Sequence, residues 1–214
     1  MATRGTRKKT ADKSPYHHGD LRQALLDASL ALITEEGFGA LSLREVARRA
    51  GVTHAAPYRH FADKEALLAA VAEQGFRAMA ACMKERMARE KDLEARLCAC
   101  GVAYVLFAVE HPAHFRVMFG PHFTRPLDAA SKGGEDNAFG LLMDSLRDLQ
   151  RAGLTGEGDP SGLALTCWSL VHGLASLLVD RQLEPGLSTP EQAEALAGAQ
   201  TRLLIKGLTR RAGD

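Results

Sequence analysis

The sequence predicts an all-α protein of about nine helices. Apolar residues recur at helical spacing along nearly the whole chain, strand-like alternation is nowhere convincing, and Ser, Thr or Asp starts and glycine stops bracket the apolar runs. At 214 residues, with 46% hydrophobic and 25% charged side chains, the chain can bury one large core or two small ones and lies outside the disordered and fibrous classes.

Residues 1–18 hold Arg4, Arg7, Lys8, Lys9 and Lys13 but too few apolar groups to offset the entropy of ordering, which predicts a flexible basic arm. No apolar run follows, so no secretory signal is expected. From Asp20, a candidate cap, Leu21, Leu25, Ala28 and Leu32 make one helix that ends at Gly37. Ser42 and Glu45 have capping-box spacing and open a short helix with Leu43, Val46, Ala47 and Ala50 inward, stopped by Gly51. Thr53 can cap a third helix over His54 to His60, although Pro57 there deletes a backbone bond. Asp63 caps a fourth that begins at Lys64 and runs helically through Leu67, Leu68, Val71, Phe76, Met79 and Met83.

Another helical run leads from Asp92 through Leu97, Tyr104, Leu106 and Phe107 to a break at His111-Pro112. A loop rich in Gly, Pro and His precedes a helix over Asn137 to Arg151, closed by Gly153. The stretch between Asp159 and Asp180 contains twenty residues without a charge. That approaches bilayer-spanning length, but Pro160, Gly162, Thr166, Ser169 and His172 and the absence of a basic anchor favour a helix buried in protein over a membrane span. Glu191 to about Arg210 makes the last helix.

Charge is uneven. Residues 1–60 hold 10 Lys and Arg against 6 Asp and Glu and the remainder 17 against 20, so the net +1 conceals a basic end. That end contains capped helix, glycine turn, second helix and capped third helix between Leu41 and Lys64, which is the grammar of a helix-turn-helix. Small Ala55 and Ala56 let the second helix approach base edges in a major groove about 12 Å wide. Lys64, in the first turn of its helix, adds its charge to the free N–H groups and dipole that attract phosphate. Tyr58 offers a hydroxyl on a stiff ring, and Arg44 can reach phosphate or a guanine edge. A core role joining helices is the competing reading for Tyr58 and Phe61; it is preferred for Phe61, and phosphate contact is preferred for Tyr58 and Lys64. The arm cations fit an adjacent minor groove as well as a solvated tail.

Gly37-Phe38 before Leu41-Ser42-Leu43-Arg44, Ala50-Gly51-Val52-Thr53, Tyr58-Arg59-His60-Phe61 and Asp63-Lys64-Glu65-Ala66-Leu67-Leu68 together resemble the DNA-binding domain of TetR/AcrR transcriptional regulators over about Asp20 to Val71. Trp168 to Leu174 is similar to the Trp-His-Gly signature of one class of TetR-type C-terminal domains. The resemblance implies an all-α homodimer whose C-terminal domain binds an effector to release operator DNA. It divides the chain into the arm, a DNA-binding domain at 19–65 and an effector-binding and dimerisation domain at 66–214. It places Thr53, His54, Ala55 and Ala56 at the start of the recognition helix, Tyr58, His60 and Lys64 on phosphates, and Arg44 in the preceding helix.

In the C-terminal half, Tyr104, Phe107, Phe115, Met118, Phe119, Phe123 and Met143 suit either a plain core or a pocket for an apolar effector, because both require apolar side chains. Trp168 and His172 meet on one face of the uncharged helix. A wholly apolar helix implies burial on nearly all sides, and Gly162, Ala164, Gly173 and Ala175 allow a second copy to approach closely, so a symmetric dimer through the last two helices is expected. A rival reading, a small helical enzyme or a metal or thiol sensor using Cys98, Cys100, His111, His114 and His122, has little support. Cys98 and Cys100 point to different faces of one helix, and the chain has no His-Glu-x-x-His, phosphate loop, nucleotide-binding glycine fingerprint or Gly-x-Ser-x-Gly elbow. No metal, cofactor or catalytic residue is expected. The four cysteines have no disulfide-framework spacing and suggest reduced thiols in a cytoplasmic protein.

Overall fold

A computed structural model describes residues 18–120 and 137–209, and within them contains eight α-helices and three 3₁₀ turns without strands. Residues 1–17 of the basic arm, His122 and Phe123 lie outside the described residues, and His18, expected as the end of the arm, opens the first helix.

Helix α1 (His18–Glu36) starts two residues before the expected Asp20 cap and stops where expected, at Gly37 with φ +81°. After a 3₁₀ turn (Phe38–Ala40), the Ser42 hydroxyl accepts from the Glu45 N–H at 3.2 Å and opens α2 (Leu43–Arg49). The reciprocal half of the capping box is missing, because the Glu45 carboxylate accepts from Arg48 Nε at 2.8 Å instead. Gly51, at φ +69°, ends α2 with Val52 N–H bonded to Ala47 O and Gly51 N–H to Arg48 O, a left-handed stop that glycine adopts without strain.

The expected helix over His54 to His60 is not an α-helix. It is a 3₁₀ turn (Pro57–Arg59) closed by Arg59 N–H to Ala56 O and His60 N–H to Pro57 O. Proline 57 has no N–H to return to the Thr53 carbonyl, so that carbonyl takes the Ala56 N–H and the segment tightens to three residues per turn.

Asp63 caps α3 (Lys64–Met87) through the Ala66 N–H at 2.7 Å. Its 24 residues run from just after the Pro57–Arg59 turn into the body of the protein and pass the division expected at 65/66 without interruption. Helix α4 (Leu93–Glu110), capped by Asp92, is the central helix, with Leu97, Cys100, Tyr104, Val105 and Phe107 buried. At His111 the chain turns into α5 (Pro112–Phe119), a helix that the sequence pattern does not announce beyond the proline break. Pro112 at its first position leaves no extra donor unmet. Asn137 caps α6 (Ala138–Arg151), which ends near Gly153 at φ +71°. Helix α7 (Ser161–Val179) has the expected bounds, and α8 (Pro190–Leu208) starts from a Thr189 cap.

Two close approaches set the packing. A Cβ on Gly101 of α4 would stand 2.7 Å from Thr201 Cγ2 of α8 and 3.1 Å from Val171 Cγ1 of α7, so the three helices cross where α4 has no side chain. A Cβ on Gly75 of α3 would stand 2.5 Å from Met118 Sδ and 3.2 Å from His114 Cδ2, so α5 docks into a notch on α3.

The expectation that α7 is buried on nearly all sides fails for a single chain. Leu165 is 57% exposed and Leu177 39%, on a face shared with exposed Gly162, Ser169 and Gly173, and neighbouring α8 leaves Leu203 68% exposed. Helices α3 and α7 are long and apolar enough to cross a membrane by length and composition, and half of the apolar window of α3 is buried in this fold.

Candidate nucleic-acid interface and the aromatic core

The head of the molecule is built from α1, α2, the 3₁₀ turn and the start of α3 around buried Leu25, Leu32, Val46, Phe61 and Leu67. Gly51 reverses the chain, and buried Pro57 and Phe61 pin the reading turn from beneath. The turn therefore presents Thr53, His54, Ala55, Tyr58 and Arg59 to solvent, with Ala56 and His60 half-buried. Tyr58 is 59% exposed, which removes it from the core, whereas Phe61 at 4% belongs there.

Charge on this head is sorted by pairing. Arg48 is held by Glu45, and Arg49 by Glu35 and more distantly by Glu36. The hydrogen bonds from Arg49 and Arg48 hold the carboxyls of Glu35 and Glu45 below the usual carboxylate range. Arg44 and Arg59 are exposed and have no ion pair among the described residues. Arg59, inside the Tyr58-to-Phe61 motif, is a site residue that sequence reasoning misses, and its only signal there is a cation between Tyr58 and His60. Lys64 is half-buried and donates to the Phe38 carbonyl at 3.1 Å, which ties α3 to the 3₁₀ turn after α1 and still leaves two of its three N–H donors.

In the body, the indole of Trp168 and the imidazole of His172 do meet, with ring centroids 5.1 Å apart. Tyr104 joins them from α4: Trp168 Nε1 donates to its hydroxyl oxygen at 3.3 Å, and that hydroxyl lies 2.9 Å from His172 Nδ1. Phe115 and Phe119 of α5 close the cluster, Phe119 at 4.8 Å from His172. Burial raises the tyrosine hydroxyl well above its ordinary value and lowers the imidazole. Phe107 lies apart from this cluster, under His111 at 4.8 Å, and Met118 is buried against Gly75. Met143 is half-buried on α6. A separate cleft of about 450 Å³ opens where the end of α3 meets α4 and α8, with Cys98 on its floor and the Arg86–Glu194 ion pair across it.

The cysteines have structural surroundings. Cys98 Sγ lies 3.1 Å from the Thr201 hydroxyl, and Cys100 and Cys167 are buried thiols pushed up to about 12 and about 11 by desolvation, far from the thiolate state that ligates or attacks. Among the described residues no three His, Cys, Asp or Glu side chains are arranged to hold a metal.

Residues 25–71 match the family model described as bacterial regulatory proteins, tetR family, and residues 97–204 match the tetracyclin repressor-like C-terminal domain. The chain is 40% identical over 63 residues to the HTH-type transcriptional regulator AcrR of Shigella flexneri, a match covering 29% of each chain. A structure of a protein of unknown function from Rhodococcus sp. RHA1 is 33% identical, with a TM-score of 0.76 over 92% of this chain and 100% of that one. The transcriptional regulator FadR from Bacillus subtilis, solved in complex with stearoyl-CoA, shares the fold at a TM-score of 0.70 and 17% identity, over 87% of this chain and 98% of its own. The matches thus span under a third of the curated relatives' length. An exposed reading turn between two capped helices and a helical body behind it, matched by family models over both parts, place this chain in the TetR family of DNA-binding transcriptional regulators.

Proposed function

We propose that the chain is a ligand-responsive repressor that works without catalysis, in the cytoplasm, as a homodimer on a palindromic operator. Residues 19–65 read DNA, and residues 66–214 bind the effector and dimerise as a Trp-His-Gly type domain. One relationship carries the reading: α5 touches both ends of the machine. Its Phe115 and Phe119 pack on His172 in the aromatic core, while its His114 and Met118 sit in the Gly75 notch of α3, the helix that starts at the reading turn.

Arg44, Thr53, His54, Ala55 and Ala56 approach base edges and Tyr58, His60 and Lys64 approach phosphates; Arg59 joins them. Tyr104, Phe107, Phe115, Met118, Phe119, Met143, Trp168 and His172 line or back the effector site. The chemistry there is apolar with a few neutral polar atoms, which suits an effector with an apolar body, and a regulator of the same fold holds stearoyl-CoA. The effector acts by favouring a conformer whose two heads are misspaced, and only its differential affinity for the two conformers moves the equilibrium. The open apolar faces of α7 and α8 support self-association.

The test is duplex binding against salt. Wild type binds with a steep salt dependence, Lys64→Ala binds all sequences more weakly with a shallower slope, and Tyr58→Phe weakens binding without base preference. A Lys64→Ala slope equal to wild type removes Lys64 from the interface, and a protein that ignores every duplex at low salt removes the DNA reading.

A further inference from the structure

Arg22 of α1 is exposed and has no ion pair among the described residues, in contrast to Arg48 and Arg49 of the same head. Its guanidinium carbon lies 5.6 Å from the centroid of the Phe61 ring. A ring face attracts the cation yet uses none of its five N–H donors, so the group is held in place with its hydrogen-bonding capacity unspent. A bidentate carboxylate partner would have taken two of those donors and offset the charge.

The place of this pair matters. Phe61 is buried, and its N–H bonds to the Pro57 carbonyl at 2.9 Å, so the ring hangs directly from the end of the reading turn. Two residues later Asp63 caps α3. Arg22 thus stands at the seam of α1, the reading turn and the N-terminus of α3. There, the Ala66 and Leu67 N–H groups are taken by Asp63, while the first two N–H groups of the helix have no partner within it. The unpaired arginine charge and the positive end of the helix dipole have the same sign, the sign that attracts phosphate.

We infer that Arg22 is a phosphate-gripping residue of the DNA interface, with Phe61 as its positioning residue. This rests on the DNA-reading assignment of the head. The pair fixes the head on the backbone and carries no base information.

The experiment uses the full chain and a labelled mixed-sequence duplex of about 30 base pairs, titrated between about 50 and 200 mM salt, with thermal melting of each protein alongside. Arg22→Ala is expected to weaken binding to any sequence and to lower the slope of log affinity against log salt by about 0.9, the value for one phosphate, with a melting temperature near wild type. Arg22→Lys restores the slope. Phe61→Leu keeps the slope but binds more weakly at every salt, because the guanidinium must then be ordered during docking. A role for Arg22 confined to holding α1 in place would lower the melting temperature and leave the slope alone. An unchanged slope in Arg22→Ala overturns the assignment, and Phe61→Leu binding at wild-type affinity overturns the positioning role. A wild-type protein with no salt-dependent binding to the duplex overturns the reading head itself.

Discussion

The Tyr104 hydroxyl faces Nδ1 of His172 at 2.9 Å while its oxygen accepts from Trp168, an arrangement that leaves the tyrosine proton for the imidazole when Nδ1 is the unprotonated ring nitrogen. The neutral imidazole protonated on Nε2 is the form this arrangement selects, in agreement with the lowering of His172 by burial.

Stability is therefore expected to depend on pH. His172 and His114 are both held below the ordinary histidine value by desolvation, His114 additionally by His111 and against the opposing pull of Asp27. A depressed histidine means that the unfolded chain binds more protons, so stability is complete above the unfolded value of about 6.5 and is lost as pH falls below it toward the folded values. Urea midpoints at about pH 7.5 and about pH 5.5 check this. The midpoint drops at the lower pH, and drops less in His114→Gln; a flat profile rejects the neutral imidazoles.

Removing the Tyr104 hydroxyl leaves an indole N–H and an imidazole acceptor facing each other across an apolar gap. Tyr104→Phe is expected to cost about 1–2 kcal/mol, since unmet buried polar groups keep their desolvation penalty. For a chain of this length that lowers Tm by roughly 2–8 °C. Calorimetry that finds no loss would mean that the hydroxyl is not the hub of the cluster.

At Gly101 the neighbours are the branched side chains of Thr201 and Val171, which have little rotamer freedom to give. Gly101→Ala is expected to destabilise by about 1–3 kcal/mol from overpacking, more than the roughly 0.8–1 kcal/mol that alanine gains in helix propensity. Denaturant unfolding decides the sign.

Arg181 ends α7 in the left-handed region at φ +53°, with its N–H bonded to Leu178 O and the Gln182 N–H to Leu177 O. Glycine holds this conformation without the Cβ penalty of about 1 kcal/mol. Arg181→Gly is expected to raise Tm, and an unchanged or lowered Tm would show that the arginine side chain contributes more than the backbone strain costs.

Glutamate at Leu203 or Leu165 tests the proposed dimer. Both leucines are more than half exposed in the single chain, so Leu203→Glu and Leu165→Glu leave each chain folded. Light scattering is expected to find wild-type dimers and variant monomers at micromolar protein. A variant that stays dimeric moves the interface elsewhere.

The legible parts of the sequence were those governed by local chemistry. Ser42, Asp63, Asp92 and Asn137 cap helices because a short polar side chain reaches an N–H three residues on, whatever the rest of the fold does. The bounds of α7 follow from the ends of its uncharged run at Asp159 and Asp180, although Pro160 at its N-cap makes no side-chain cap bond. What was hidden depended on partners distant in sequence. Pairing of Trp168 with His172 is a helix-spacing matter, but Tyr104 reaches them from 64 residues away. The reading segment looked helical by pattern, and the missing proline donor won instead. Lys64 looked like a free phosphate ligand, and its tie to Phe38 could be found only with the 3₁₀ turn in place. The Gly75 and Gly101 notches carry no periodic signal at all, since any glycine inside a helix looks alike until its neighbours are known.

The brevity of the turn at Pro57–Arg59 has a consequence for information content. In the proposed complex so small a platform, with His54 and Arg59 exposed on it, leaves room for few base contacts, so one head would spell out a short word that recurs throughout any genome. On the proposed dimer, selectivity would then reside in the ruler as much as in the letters: the separation between two such words becomes part of the address, and a shift in that separation erases it without altering a single touch on a base.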